Sequence, residues 1–234
     1  MGGPGYAEHM AKHADDLEFT APLYTLSDAA RVVNVPPATL RNWARGYVFK
    51  GIDGAQHQVD ALITTTGVGH GPVVPFVGLG EAYVLAAFRQ AGVPMQRIRP
   101  AIHRLEREFG VRAALASEQL KTDGAEVLWQ YGEDDPELRD SLVVLRSNQL
   151  VFRDVIEDYL QTITYRDGHV ALIRLPQYRP EVFVDPLRNF GVPTLASRGI
   201  RVDAVKSRLD SGEPAELVAE DYRLDVGEVL ALAA

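Results

Sequence analysis

The sequence predicts an α+β protein that is mostly helical, and three observations carry that expectation. Apolar residues recur at helical spacing in three blocks: near the start, around residues 79–109, and at the end. Short runs of β-branched and aromatic residues, such as Val170-Ala171-Leu172-Ile173 and Val182-Phe183-Val184, stand between them as strand candidates. Gly and Pro mark the joins. With 234 residues, 46% of them apolar and 24% charged, the chain has the composition of ordered globular protein and the length for two or three small cores.

Residues 1–22 read as a loose arm, with Gly and Pro first and then mixed charge without an apolar period. His9 and His13 have i,i+4 spacing but lack the intervening Glu of a zinc-protease pair, so a polar tail is expected there. Ser27 suits the N-cap of a short helix through Val33, and Asn34-Val35 makes a break. Pro36-Pro37 then offers a rigid entry to a second helix, Thr39 to Ala44, closed by Gly46. From Tyr47 to Thr66 strands are favoured, with Asp53-Gly54 as a hairpin turn. A hairpin in that place makes the unit a winged helix-turn-helix.

Beyond a Gly-rich connector, Gly67 to Pro72, a second helical pair follows. Leu79 to Gln90 is apolar at Leu79, Ala82, Tyr83, Ala86 and Ala87; after Gly92 and Pro94, Ile98, Ile102, Leu105 and Phe109 form a second stripe. The middle reads as mixed. Its strand candidates include Val127-Leu128-Trp129 and Leu142-Val143-Val144-Leu145, with a short helix around Arg153 to Gln161 and a solvated acidic run at Glu133-Asp134-Asp135. The end holds helices over Val202 to Ser211, Glu216 to Tyr222, and from a cap at Asp225 to the terminus. The expected division is an arm over 1–22, the winged helix-turn-helix with its helical pair over 23–110, a mixed α/β middle over 111–185, and a tri-helical domain over 186–234.

Composition removes several function classes. Cysteine is absent, which excludes disulfides, thiolate nucleophiles and Cys-based zinc or iron–sulfur sites, and suits a reducing, cytoplasmic setting. No run reaches the roughly 18–20 apolar residues of a membrane span, and the start lacks the order of a signal peptide. No membrane partner, cofactor or metal is expected. The net charge of −8 argues against indiscriminate coating of nucleic acid, yet local cations still decide whether phosphates are bound.

A helix-turn-helix needs small residues where its helices cross, an apolar lock, and polar donors on the outer face of the second helix. Ala29 and Ala30 supply the first, and Val33, Val35, Leu40 and Trp43 the second. Thr39, Arg41, Asn42 and Arg45 then point outward as base-reading candidates, because Arg can bridge the two acceptors of guanine and Asn can pair with adenine. Arg31 and Lys50 suit phosphates. The plain alternative is a packing motif with solvated arginines. Arg89, Arg97, Arg99, Arg104, Arg107 and Arg112 either extend a DNA footprint or solvate their helix; the sequence leaves both open.

Gly67 to Pro72 lacks the Lys-Ser/Thr of a phosphate loop and reads as a linker, and Gly78 with Gly80 falls short of a dinucleotide fingerprint. No catalytic constellation stands out, so no enzyme is expected. The C-terminal helices have a second helix-turn-helix shape, but an acidic one, which suits protein better than phosphates.

Leu40-Arg41-Asn42-Trp43-Ala44-Arg45-Gly46 resembles the second-helix signature of MerR-like winged helix-turn-helix domains. Phe76-Val77-Gly78-Leu79 through Phe88-Arg89-Gln90-Ala91-Gly92-Val93 to Ile98-Arg99 resembles the helical continuation of such domains. Phe190-Gly191-Val192-Pro193, Arg198-Gly199-Ile200-Arg201-Val202 and Gly212-Glu213-Pro214 with Val218-Ala219-Glu220-Asp221-Tyr222 are similar to the tri-helical domain of VapB-like antitoxins of actinobacterial, mycobacterial type. The combination covers most of the chain. It implies the antitoxin of a type II toxin–antitoxin pair, with two partners: operator DNA, which it would bind as a homodimer to repress its own operon, and a PIN-domain ribonuclease toxin, which it would neutralise. The alternatives are a MerR-like ligand-sensing regulator without a toxin, and an interaction adaptor or enzyme. A ligand sensor would usually carry a long dimerising helix, and no sustained heptad run is visible.

Overall fold

The computed structural model describes residues 18–52, 54–69, 71–92, 113–118 and 158–233, together with Met95, Ile98, Arg99, Ile102, Glu106 and Leu120. Two compact units result, one from residues up to Gln161 with Tyr165–Val170, the other from Thr162–Thr164 with Ala171–Ala234. The architecture is α+β, with the helix-turn-helix at the N-terminal side. His9, His13, the acidic run at 133–135 and the strand candidates at 127–129 and 142–145 lie outside the described residues.

The first unit opens with α1 (Leu26–Val32) and α2 (Pro37–Arg45). The N-cap of α1 is Thr25 and not Ser27: its hydroxyl oxygen accepts from the Asp28 amide at 3.1 Å and lies 2.6 Å from the Asp28 carboxylate. Asp28, in the third helical position, thus bonds Thr25 through both its amide and its carboxylate, and the helix starts earlier than the predicted cap. The corner between the helices closes by two hydrogen bonds, Asn34 amide to Arg31 carbonyl and Val35 amide to Ala30 carbonyl. This is the six-to-one, five-to-two pattern of a Schellman turn, with Asn34 taking the left-handed position at φ 54°.

Pro36 and Pro37 then start α2 where a missing amide costs nothing. Ala29, Ala30 and Leu40 are fully buried at the crossing, Val33 and Trp43 nearly so. Val35 is half-buried. The expected lock is therefore the packed centre of the motif.

Gly46 ends α2 at φ 66°, and a Cβ there would stand 2.2 Å from the Val59 carbonyl oxygen. Only glycine lets the chain turn directly into β1 (Tyr47–Lys50), which pairs antiparallel with β2 (Gln56–Val59) in the register Tyr47↔Val59 to Lys50↔Gln56. This is the predicted wing, shorter than the favoured span. Past β2 the chain returns to α2, where the Leu62 amide donates to the Trp43 carbonyl at 2.7 Å.

The helix expected from Leu79 begins three residues earlier, as α3 (Phe76–Gln90). It is not a one-sided amphipathic helix. Every residue from Phe76 to Phe88 is buried, so α3 is the core around which the unit is built. Gly78 and Gly80 serve packing: a Cβ on Gly78 would lie 2.2 Å from the Thr64 carbonyl oxygen, and one on Gly80 2.7 Å from Val170. Glu81 is buried as well, and its carboxylate accepts the Thr64 amide.

The antiparallel sheet has the order β3 (Ile163–Arg166), β4 (His169–Arg174), β5 (Val182–Val184) and β6 (Thr194–Leu195), with Tyr165–Val170 counted in the first unit and its other residues in the second. Asp167 and Gly168, at φ 53° and 82°, make a two-residue hairpin turn whose twist matches the flanking strands. Registers Ile173↔Val184 and Val182↔Leu195 place apolar partners across the sheet.

Three helices complete the second unit: α4 (Val202–Asp210), α5 (Ala215–Tyr222) and α6 (Val226–Ala233). The corner after α5 repeats the turn after α1. Arg223 amide donates to Glu220 carbonyl and Leu224 amide to Ala219 carbonyl, with Arg223 at φ 55°. Asp225 caps α6 as predicted: it accepts the Gly227 amide at 2.7 Å while Glu228 reaches back to the Asp225 amide. Arg208 joins α4 to α5, bonding Glu213 and Asp221 and lying 5.4 Å over the Tyr222 ring.

Gly46→Ala is expected to lower the stability of the first unit by about 3 kcal/mol in urea unfolding, from strain and overlap together. Gly54→Ala, at φ 79° but with open space around it, is expected to cost only about 1 kcal/mol.

Candidate nucleic-acid interface

The face of α2 opposite Leu40, Trp43 and Ala44 carries Arg41, Asn42 and Arg45, all exposed. Residues three and four apart share a helix face, so the three side chains form one outward patch. Among the described residues, Arg41 and Asn42 make no side-chain hydrogen bond and present free donors. Arg45 is different. Its Nη2 donates to the carbonyl oxygens of Val68 and Gly69, at 3.3 and 2.9 Å.

Thr39 is half-buried, and its hydroxyl accepts from Nη1 of Arg89 at 3.1 Å. Arg89 is exposed at the end of α3, so the fold sets an arginine from fifty residues downstream against the start of the recognition helix. Arg31 pairs with Asp28 at 3.2 Å on α1, an exposed contact worth little. Lys50 is exposed at the end of β1.

The wing gains a brace. The Arg99 guanidinium lies 5.9 Å over the Tyr47 ring and donates to the Asp60 carbonyl. Burial pulls the Arg99 pKa below its ordinary value, with Tyr47 and Asp60 acting the other way. An arginine so placed stays charged. Tyr47, Phe49 and His57 share the braced face, with Phe49 and His57 stacked at 5.2 Å between centroids. Tyr47, Val48, Phe49 and Ile52 are exposed.

Of the downstream arginines, Arg89 and Arg99 meet the helix-turn-helix, one at Thr39 and one at Tyr47. Sequence reasoning found both as members of a basic cluster but had no means to choose them from their neighbours. Arg97, Arg104, Arg107 and Arg112 lie outside the described residues. The connector is likewise more than a linker, since Thr66 closes its base by donating from amide and hydroxyl to the Val73 carbonyl and Arg45 holds its middle.

Elsewhere in the first unit, burial raises the Tyr159 hydroxyl pKa, opposed by its hydrogen bond to Gln90, and burial beside Glu118 raises that of Tyr165 further. Neither belongs to the α2 patch. Among the described residues, no group of three or more His, Asp or Glu is arranged to hold a metal ion, and no helix is long and apolar enough to cross a membrane.

Paired helices with a Schellman corner, an exposed Arg-Asn-Arg patch on the second helix and a hairpin directly after it define a winged helix-turn-helix protein of DNA-binding type. A family model described as "Putative DNA-binding HTH domain" matches residues 22–102, which spans α1, α2, the wing and α3. The chain belongs to the family of "Putative antitoxin VapB45" of Mycobacterium tuberculosis, with which it is 45% identical over 88% of this chain and 90% of that protein. "Uncharacterized protein Rv2308" of the same organism is 28% identical over 88% of this chain and 87% of its own length. The crystal structure of Rv2018 from Mycobacterium tuberculosis superposes with a TM-score of 0.74 at 38% identity, covering 93% of this chain and all of that one.

If Arg45 holds the connector, Arg45→Ala releases it. Heteronuclear NOE values at Val68 and Gly69 are expected to fall in that variant and to stay unchanged in Arg41→Ala, with both variants melting as wild type.

Proposed function

We propose that this chain is the antitoxin of a type II toxin–antitoxin pair, acting in the cytoplasm by binding and not by catalysis. The observation that carries the reading is the 45% identity to "Putative antitoxin VapB45" along nearly the whole of both chains. The match of the DNA-binding family description to residues 22–102 supports the DNA-binding half of the role, repression of its own operon.

In this reading residues 23–110 bind operator DNA. Arg41, Asn42 and Arg45 face the major groove, Thr39 joins them under Arg89, and Arg31 and Lys50 meet phosphates. One nine-residue helix reads too few bases for useful specificity, so the chain acts as a homodimer on a two-fold operator. Residues 186–234 hold the toxin, a PIN-domain ribonuclease. The active site of such a nuclease is a carboxylate cluster around a divalent metal, and its inhibition calls for a surface that covers that cluster.

Electrophoretic shift with DNA from upstream of the coding sequence tests the first half. Arg41→Ala with Asn42→Ala is expected to weaken binding about a hundredfold at fixed salt, each lost base contact costing about 1–3 kcal/mol. Equal binding by wild type and variant sinks the base-reading assignment. Co-expression with the adjoining reading frame tests the second half. A complex that retains the partner when residues 186–234 are removed assigns the toxin surface elsewhere, and recovery of no nuclease leaves the DNA role alone.

A further inference from the structure

Gly67, Gly69 and Gly71 alternate along the connector, and the fold gives no reason for any of them. None has a φ in the left-handed range, where glycine is otherwise needed. A Cβ built on Gly67 or Gly71 meets nothing within 4 Å, and one on Gly69 meets only a backbone nitrogen at 3.9 Å, an ordinary contact. Gly46 and Gly78 differ, each demanded by a backbone oxygen 2.2 Å from a would-be Cβ, while Gly54, Gly92 and Gly168 meet nothing within 4 Å but stand at positive φ. Glycine in a permissive position makes the unfolded chain more costly to order, so the fold itself gains nothing from its use there.

The connector is also not slack. Thr66 and Val73 close its base, and Arg45 grips the carbonyls of Val68 and Gly69 from the outer face of α2. Held this way, the backbone amides of Gly67, Val68, Gly69 and Gly71 donate to no other described residue. Val68 is 86% exposed between its two glycines. The loop therefore sets unspent amide donors and a bare backbone beside the Arg41, Asn42 and Arg45 patch. What glycine permits, and alanine does not, is close approach of that backbone to a partner.

We propose that the Gly67–Gly69 and Gly71 backbone is a second DNA-contacting element, docked to the recognition helix by Arg45 and laid against the sugar–phosphate backbone of the duplex that α2 reads. The inference rests on the DNA-binding reading above. Phosphate oxygens are the acceptors that match a row of free amides beside a cationic helix face, and such contacts position a protein without reading sequence. Arg45 thereby acts as a positioning residue for the loop.

The test uses the full chain, two labelled duplexes (the upstream DNA and a scrambled sequence of equal length) and fluorescence anisotropy at fixed salt. Gly67→Ala/Gly69→Ala/Gly71→Ala is expected to melt no lower than wild type, yet to bind both duplexes about tenfold more weakly, a change of about 1.4 kcal/mol. Arg41→Ala, by contrast, loses affinity mainly for the upstream duplex. A triple variant that binds as wild type while Arg41→Ala is impaired overturns the loop proposal alone. A wild type that binds neither duplex overturns the DNA reading and the proposal together. Should the triple variant melt lower, Val68→Asp serves in its place: its carboxylate at an open position repels phosphates, and unchanged affinity for both duplexes overturns the proposal.

Discussion

The first unit depends on how closely α3 approaches the segment returning from the wing. Gly78 removes the side chain that would strike the Thr64 carbonyl, and one turn later Glu81 accepts the Thr64 amide. A buried carboxylate is costly unless its oxygens are bonded, so the pair joins a steric requirement to a polar one at the same residue. Leu62 and Ile63 are buried just before it and bond back to Trp43. The position of α2 is thus set from behind by α3, through a segment that has no regular structure of its own.

From that constraint the outer face follows. α2 cannot rotate without breaking the Leu40 and Trp43 packing, so Arg41, Asn42 and Arg45 keep one direction. The wing leaves α2 at a glycine that no other residue can replace, and Arg99 fixes it by stacking on Tyr47. Arg89 and Arg99 also concentrate positive charge on a protein whose net charge is −8. Local cations at the phosphates, and not the total, govern duplex binding. The second unit uses the same corner geometry at Arg223, where Arg198 donates to the Arg223 carbonyl and Arg208 pairs with Glu213 and Asp221.

Much was legible in the chain itself. The helix pair, the Pro-Pro entry, the wing, the Asp225 cap and the C-terminal helices follow from local chemistry: backbone donors at helix ends, fixed φ at proline, and side-chain period. The outward placement of Arg41, Asn42 and Arg45 was legible for the same reason, since a short helix with Leu40 and Trp43 inward leaves only one face open. Where local rules competed, the reading slipped. Thr25 and Ser27 are both good caps, and the choice fell to Thr25, whose hydroxyl meets the Asp28 amide.

The corner between α1 and α2 is therefore legible in the sequence alone, because every hydrogen bond that makes it spans five residues or fewer. Tertiary structure decided what surrounds it. That α3 is buried on all sides, that Arg89 meets Thr39 and Arg99 meets Tyr47, and that Arg45 holds a glycine loop all rest on contacts between distant residues, the last three more than twenty apart in the chain. No local period or propensity encodes such contacts. They exist only once the core has fixed where the distant segments lie.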